Sequence, residues 1–266
     1  MSTATLNGIT VDYTDAGAGP PVLLVHGHPF DRSMWRPQLA HLPAAGYRAI
    51  APDLRGYGGS SVVPGITPLS TFAGDLAALL DHLDVPAATL VGLSMGGQIV
   101  LEFHRRFPRR VRGLVLADTS ATAETEAGRR NRTEMAKRLL REGLERYAHE
   151  VLPKMISPRH VETMPDLARH VLDMMRGTDP AGAAAALHGR AERTDYVSAL
   201  PGVAVPTLVV VGADDEFTPL ADAELIHRHV PGARLAVLDD AAHLPNLERP
   251  AEFNRVLTGF LATVPR

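Results

Sequence analysis

The sequence predicts an α/β protein: a mostly parallel, doubly wound sheet entered through an antiparallel hairpin and interrupted after its sixth strand by a block of helices. Three observations carry this reading. Short apolar runs end abruptly at Gly, Asp or Ser; helix-compatible segments separate them; and the alternation stops between Ala121 and about Pro201, where no strand-like run occurs. Val/Ile/Leu runs without polar alternation are what strands covered on both faces require, and strand alternating with helix points to parallel βαβ units.

The elements follow in order. In "TATLNGITVDYTDAG" the dipeptide Asn7-Gly8 separates two alternating runs, a hairpin signal because both residues tolerate the left-handed corners of a two-residue turn. The strands of the sheet proper are "PPVLLVHG", "YRAIAPD", "ATLVGLS", "VRGLVLAD", "PTLVVVGADD" and "ARLAVLDD", with helices expected over 33–44, 70–84, 95–107, 220–229 and 249–263. The expected organisation is a core of residues 1–120 and 201–266 carrying a helical cap, or lid, at 121–200. Within the cap, "EAGRRNRTEMAKRLLREGLERYAHEVL" sets Met135, Leu139, Leu140, Leu144, Tyr147 and Val151 on one face, and "AGAAAAL" at 181–187 reads as another helix. Met135, Met155, Met164, Met174 and Met175, five of the eight methionines, lie in this block and no phenylalanine does. Unbranched thioethers suit both cap-to-core packing and an adaptable apolar roof over a pocket.

Composition narrows the function classes. The chain has 266 residues, 45% apolar and 21% charged, which suits one soluble α/β domain with an insertion. A net charge of −3 leaves no basic surplus for nucleic acid or an anionic membrane, so neither is expected as a partner. Cysteine is absent, which rules out disulfides and thiolate chemistry. The opening "MSTATLNGITVDY" has no basic, apolar leader pattern, and no apolar run nears the roughly 20 residues of a membrane span. The expected location is the cytoplasm. Oligomeric state has no signature in the sequence.

The chemistry centres on Gly92-Leu93-Ser94-Met95-Gly96, where an apolar strand meets a helix. That context is what a nucleophile elbow requires. The turn is so tight that the positions two before and two after the serine have no room for side chains, and the hydroxyl projects from the carboxyl end of the sheet. The following helix aims its N-terminus at the same point, which favours developing negative charge. A hydroxyl needs a base. Of the 12 histidines, His243 in "DDAAHLPNLERP" lies on a loop just after the last strand. His82, His104, His227 and His229 fall in helical segments, and His149, His160, His170 and His188 in the cap. No H-E-x-x-H or comparable spacing occurs, so neither a metal nor a cofactor is expected. The orienting acid is assigned to Asp215, in "GADDEFTP" at the end of a strand. Its neighbour Asp214, and Asp118 at the end of "VRGLVLAD", remain the alternatives. An oxyanion needs waiting N–H donors: the Met95 amide is one, and the His28 amide, in "LLVHGHPFDRSMW", is the other. His26 reads as a loop organiser, and Asp31 or Ser33 as the cap of the next helix. "DLRGYGGSS" at 53–61 lacks the phosphate-loop lysine and reads as a loop packed beside the site.

Taken together, "HGHPFDRSMW", "DLRGYGGS", "GLSMGG", "GADDEFTP" and "AAHLPNLERP" make the chain resemble the α/β-hydrolase superfamily over nearly its full length. The likeness is to the capped carboxylesterase and lactonase branch that includes 3-oxoadipate enol-lactonases, with cofactor-free haloperoxidase or perhydrolase relatives nearby. The resemblance implies the α/β-hydrolase fold and cofactor-free hydrolysis of a small ester or lactone by Ser94, Asp215 and His243, in that superfamily's chain order. Dehalogenases and epoxide hydrolases of the superfamily carry a carboxylate where this chain has Ser94. C–C bond hydrolysis or perhydrolysis on the same triad, and a hydrolase-fold ligand receptor, are the alternative readings. The pocket wall is expected from Phe30, Trp35, Leu139, Met174, Phe217 and Leu244. It would be mostly apolar, favouring uncharged substrates over a dicarboxylate unless a cap arginine such as Arg138 or Arg176 points inward.

Overall fold

A computed structural model describes residues 2–265. Its sheet has eight strands in the order β1-β2-β4-β3-β5-β6-β7-β8. β1 (Ser2–Leu6) and β2 (Ile9–Ala16) form the expected antiparallel hairpin, with Asn7 at φ 48° and Gly8 at φ 76° supplying the two left-handed corners. β2 also runs antiparallel to β4 (Arg48–Pro52). β3 (Pro21–Val25), β4, β5 (Ala88–Leu93), β6 (Val111–Ala117), β7 (Thr207–Gly212) and β8 (Arg234–Leu238) are mutually parallel. Val25 pairs with Gly92, Leu93 with Ala117 and Ala117 with Val210, so the ends of β3, β5, β6 and β7 emerge side by side.

The unbroken apolar runs divide between two cores by alternation. Leu23, Val25, Leu90, Leu114, Leu116, Val209 and Val211 face one core, closed by α2 (Leu69–His82), α3 (Met95–Arg106) and α9 (Leu220–His229). Val22, Leu24, Val91, Leu93, Val115, Ala117, Leu208 and Val210 face the other, closed chiefly by α1 (Arg36–Ala44) and α11 (Pro250–Leu261). Period-two alternation into two dry faces is why the middle of these strands is apolar on both sides, with Arg48, Thr89, Arg112 and Thr207 confined to their first two residues. β8 departs from that expectation: as the edge strand it leaves Arg234 and Val237 exposed.

Between β6 and β7 lie α4 (Glu126–Glu142), α5 (Glu145–Met155), α6 (Pro158–Thr163), α7 (Pro165–Gly177) and α8 (Pro180–Ala191). The single apolar stripe expected from Met135 to Val151 is corrected here. Gly143, at φ 72°, ends α4 and redirects the chain, leaving Leu140 exposed while Leu139 turns into the α4–α8 contact. α8 approaches the 53–61 loop so closely that a Cβ on Gly182 would fall on the Gly56 carbonyl. No helix among the described residues is long and apolar enough to cross a membrane.

Two glycine-to-alanine changes in helices should therefore have opposite signs. Gly182→Ala should destabilise by about 1–3 kcal/mol through overpacking. Gly259→Ala, in α11 with nothing within 4 Å of the added methyl, should stabilise by about 0.5–1 kcal/mol. Urea unfolding of the two variants checks this; equal shifts would mean α8 does not seat on the loop as described.

Candidate active site

The β5–α3 junction sets the geometry. Ser94 has φ 58° and ψ −118°, a conformation that a residue with a side chain adopts only when its surroundings impose it. A Cβ on Gly92 would meet the Gly96 carbonyl, and one on Gly96 the Val25 carbonyl, so only glycine fits at either position. The turn is tied to the next strand: the Ser94 N–H donates to the Ala117 carbonyl at 2.9 Å, and Thr119 Oγ1 donates to the Ser94 carbonyl at 2.7 Å. A Cβ on Gly97 would strike Thr119, so that glycine brings α3 against the β6 end.

The loop after β7 presents Asp215 to the loop after β8. His243 Nδ1 lies 2.8 Å from Asp215 Oδ2, with both side chains buried. Asp215 also accepts from Thr218 Oγ1 at 2.6 Å and from the Phe217 and Thr218 amides at 2.8 and 3.3 Å. Burial pushes its carboxyl up, but the His243 pair and these donors outweigh burial and hold it below the usual carboxylate range. Asp214 is exposed, and Asp118 has a different environment. One Asp118 oxygen accepts from the Gly212 amide at 2.8 Å and the other is buried without a partner. Burial first, and neighbouring Asp215 second, push Asp118 well above the usual range, which favours its protonated form and sets it apart from Asp215.

Glu248, which the sequence reading passed over, fastens the His243 loop from behind. It sits in α10 (Pro245–Glu248) and accepts from the Ala242 amide at 2.7 Å. Its other oxygen takes the Ser157 amide at 2.8 Å and meets His160 Nδ1 at 2.7 Å, joining the inserted helices to the histidine loop.

On the opposite side, His26 Nε2 accepts from the Leu54 amide at 3.0 Å while Nδ1 meets the Gly27 carbonyl at 2.8 Å. Burial lowers its pKa, consistent with a neutral ring pinning two loops together. Asp31 caps the turn at Arg32–Trp35 by accepting from the Ser33 amide. The Met95 and His28 amides are paired with no acceptor among the described residues, the condition required of donors awaiting an oxyanion.

A cavity of about 570 Å³ opens over this junction, lined by Ser94, His243 and His28 from the core and by Met135, Tyr147 and Met155 from the inserted helices. Of the expected wall residues, the structure brings only Phe217 to the cavity, its ring edge-on to His243 at 5.1 Å. The others are corrections. Phe30, Trp35, Met174 and Leu244 are buried in the core on the α1–α11 side, Trp35 against Phe253, and Leu139 packs between α4 and α8. Nor is the wall without charge: Glu124, Arg132, Arg190, Arg193 and Asp222 line it. Arg138 and Arg176 instead pair outside with Glu150 and Glu145. No local signal distinguished the inward arginines, because Arg132 and Arg190 sit on helices whose orientation is set by packing and Arg193 on the loop that follows α8.

Asp118 makes a pH-dependent stability prediction. Its folded pKa lies above the unfolded one, so as pH rises past the unfolded value only the unfolded chain sheds the proton, and stability falls. An asparagine at this position carries no such penalty. Asp118→Asn should therefore gain on wild type in thermal melts taken from about pH 4 to about pH 8; a difference independent of pH would show Asp118 to be ionised in the folded protein.

Comparison with known proteins agrees with this architecture. A family model described as the alpha/beta hydrolase fold matches residues 20–250. The chain is 30% identical over 258 residues to 3-oxoadipate enol-lactonase 2 of Acinetobacter baylyi, covering 96% of this chain and 94% of that one. Among solved structures it superposes on a thermophilic esterase from Thermogutta terrifontis with a TM-score of 0.95 and 37% identity, covering 98% and 97% of the two chains. It superposes on the enol-lactonase from Burkholderia xenovorans with a TM-score of 0.92 and 29% identity, covering 98% and 100%. With the elbow, the parallel sheet and this match over most of its length, the chain belongs to the α/β-hydrolase family.

Proposed function

We propose that this protein is a serine hydrolase that cleaves a small carboxylic ester or lactone through an acyl-Ser94 intermediate. The observation that carries the reading is the buried 2.8 Å contact of His243 with Asp215 on the wall of the cavity that Ser94 lines. A volume of about 570 Å³ fits a small-molecule substrate. Relatives named as esterase and enol-lactonase support the same reaction class.

In this mechanism Ser94 Oγ adds to the substrate carbonyl as His243 takes its proton through Nε2. Asp215, accepting from Nδ1–H, fixes the tautomer and stabilises the imidazolium. The carbonyl oxygen becomes an oxyanion held by the Met95 and His28 amides, the former at the N-terminus of α3. The tetrahedral species collapses, the C–O bond breaks, and His243 returns the proton to the leaving alkoxide; in a lactone that alcohol remains tethered to the acyl group. Water then adds to the acyl-enzyme with His243 again as base, releasing the acid and restoring Ser94. Asp118 is not the acid in this account, because His243 Nδ1 meets Asp215 while Asp118 accepts only from the Gly212 amide among the described residues.

Release of p-nitrophenol from p-nitrophenyl butyrate tests the roles. Ser94→Ala should lose about 10⁶-fold in kcat and Asp215→Asn about 10⁴-fold, while Asp118→Asn should lose far less than Asp215→Asn. Turnover surviving in pure Ser94→Ala would refute the nucleophile. A deeper loss in Asp118→Asn than in Asp215→Asn would refute the acid.

A further inference from the structure

The charged wall of the cavity has an imbalance. Glu124 takes both Arg132 and Arg193, the latter at 2.6 Å. Burial pushes this carboxyl up, but the two guanidinium groups outweigh it and hold it low. Asp222, at the same wall, is pushed up by burial and then by Asp215. Arg190 is 8% exposed and makes no salt bridge among the described residues. Its Nε donates to Gln98 Oε1 at 3.2 Å, a neutral acceptor that orients the guanidinium without neutralising it. Burial, then Arg132 and Arg193, push Arg190 well below its ordinary value, which starts so far above neutrality that the group remains a cation. An unpaired buried charge is among the costliest groups a fold can hold.

His28, which lines the same cavity, holds a second unsatisfied group. His28 is 5% exposed, its Nδ1 lies 2.8 Å from the Tyr57 hydroxyl, and its Nε2 has no partner. Burial, then Arg190 and Arg132, drive its pKa well down, so the ring is neutral. Gln98 lies one turn beyond the nucleophile on α3, its amide donating to the Ser94 carbonyl at 3.2 Å, and Ser94, Gln98 and Arg190 line the same cavity.

We infer that Arg190, oriented by Gln98 on the wall of the cavity that Ser94 lines, is an anion subsite, and that the ester or lactone cleaved here carries a carboxylate apart from the reacting carbonyl. This rests on the hydrolase reading above and reverses the sequence expectation of an uncharged substrate.

The test compares kcat/KM within matched pairs. Mono-p-nitrophenyl glutarate is set against p-nitrophenyl valerate for a carboxylate on the acyl side, and 4-acetoxybenzoate against its methyl ester for one on the alcohol side. Wild type should prefer the anionic member of at least one pair by about 10–100-fold, the scale of one charge-assisted hydrogen bond. Arg190→Gln should bring that ratio close to one, and Arg190→Lys should recover part of it. A merely structural role for Arg190 lowers both members together and leaves the ratio intact, which would overturn the subsite, as would the absence of any anionic preference in wild type. If no ester is turned over, the hydrolase reading fails separately. Calorimetric titration with glutarate then decides the subsite: saturable binding to wild type that is lost in Arg190→Gln supports it, and no binding to wild type overturns it.

Discussion

Crowding at residues 92–96 is the constraint on which the site depends. β5 passes into α3 with so little room that Gly92 faces the backbone of Gly96 and Gly96 that of Val25, and Ser94 between them takes a left-handed conformation. Such a conformation costs on the order of 1–3 kcal/mol and persists only where the surroundings over-determine it. Here the Ala117 carbonyl and the Thr119 hydroxyl hold Ser94 from the β6 side. The same junction exposes the Met95 amide and fixes where Gln98 stands one turn later. Nucleophile position, oxyanion donor and arginine orientation thus follow from one packed turn.

Around that turn the electrostatics divide into two regions. Near His243, four donors converge on Asp215 and hold its carboxyl low, while burial and the neighbouring Asp215 push Asp118, which has one donor, well up. Environments that separate two neighbouring carboxyls in this way limit the negative charge next to the imidazole to a single unit. Across the cavity the excess is positive, with one carboxylate shared by two arginines and Arg190 left over. A substrate anion drawn to that wall places its carbonyl towards Ser94, so charge on one side serves orientation and charge on the other serves proton transfer.

Much of this was legible locally. Strand positions came from apolar runs with abrupt ends, and the elbow from two glycines flanking a serine at a strand–helix boundary. The loops of Asp215 and His243 lie where their strands stop. The cavity wall was not legible, because the face a helix turns inward is a tertiary outcome. Phe30 and Trp35 adjoin the oxyanion loop in sequence, yet packing against Phe253 and its neighbours draws them into the core. Leu139 has the periodicity of a roof residue, but the bend at Gly143 commits it to α8. Arg138 and Arg176 find carboxylates on their own surface, whereas Arg190 follows an alanine-rich stretch of α8 that packs closely enough to carry it inside. Glu248 was not legible as a link to the inserted helices, since Ser157 and His160, its partners there, are about 90 residues away.

The central claim is that Ser94 forms the covalent acyl intermediate, and labelling with a fluorophosphonate followed by peptide mass spectrometry tests it most directly. The account predicts one phosphonyl group per chain, carried by the peptide containing Ser94, with loss of esterase activity in step with labelling and no adduct in Ser94→Ala. An enzyme that turns over esters while remaining unlabelled, or an adduct of equal yield in Ser94→Ala, would contradict it.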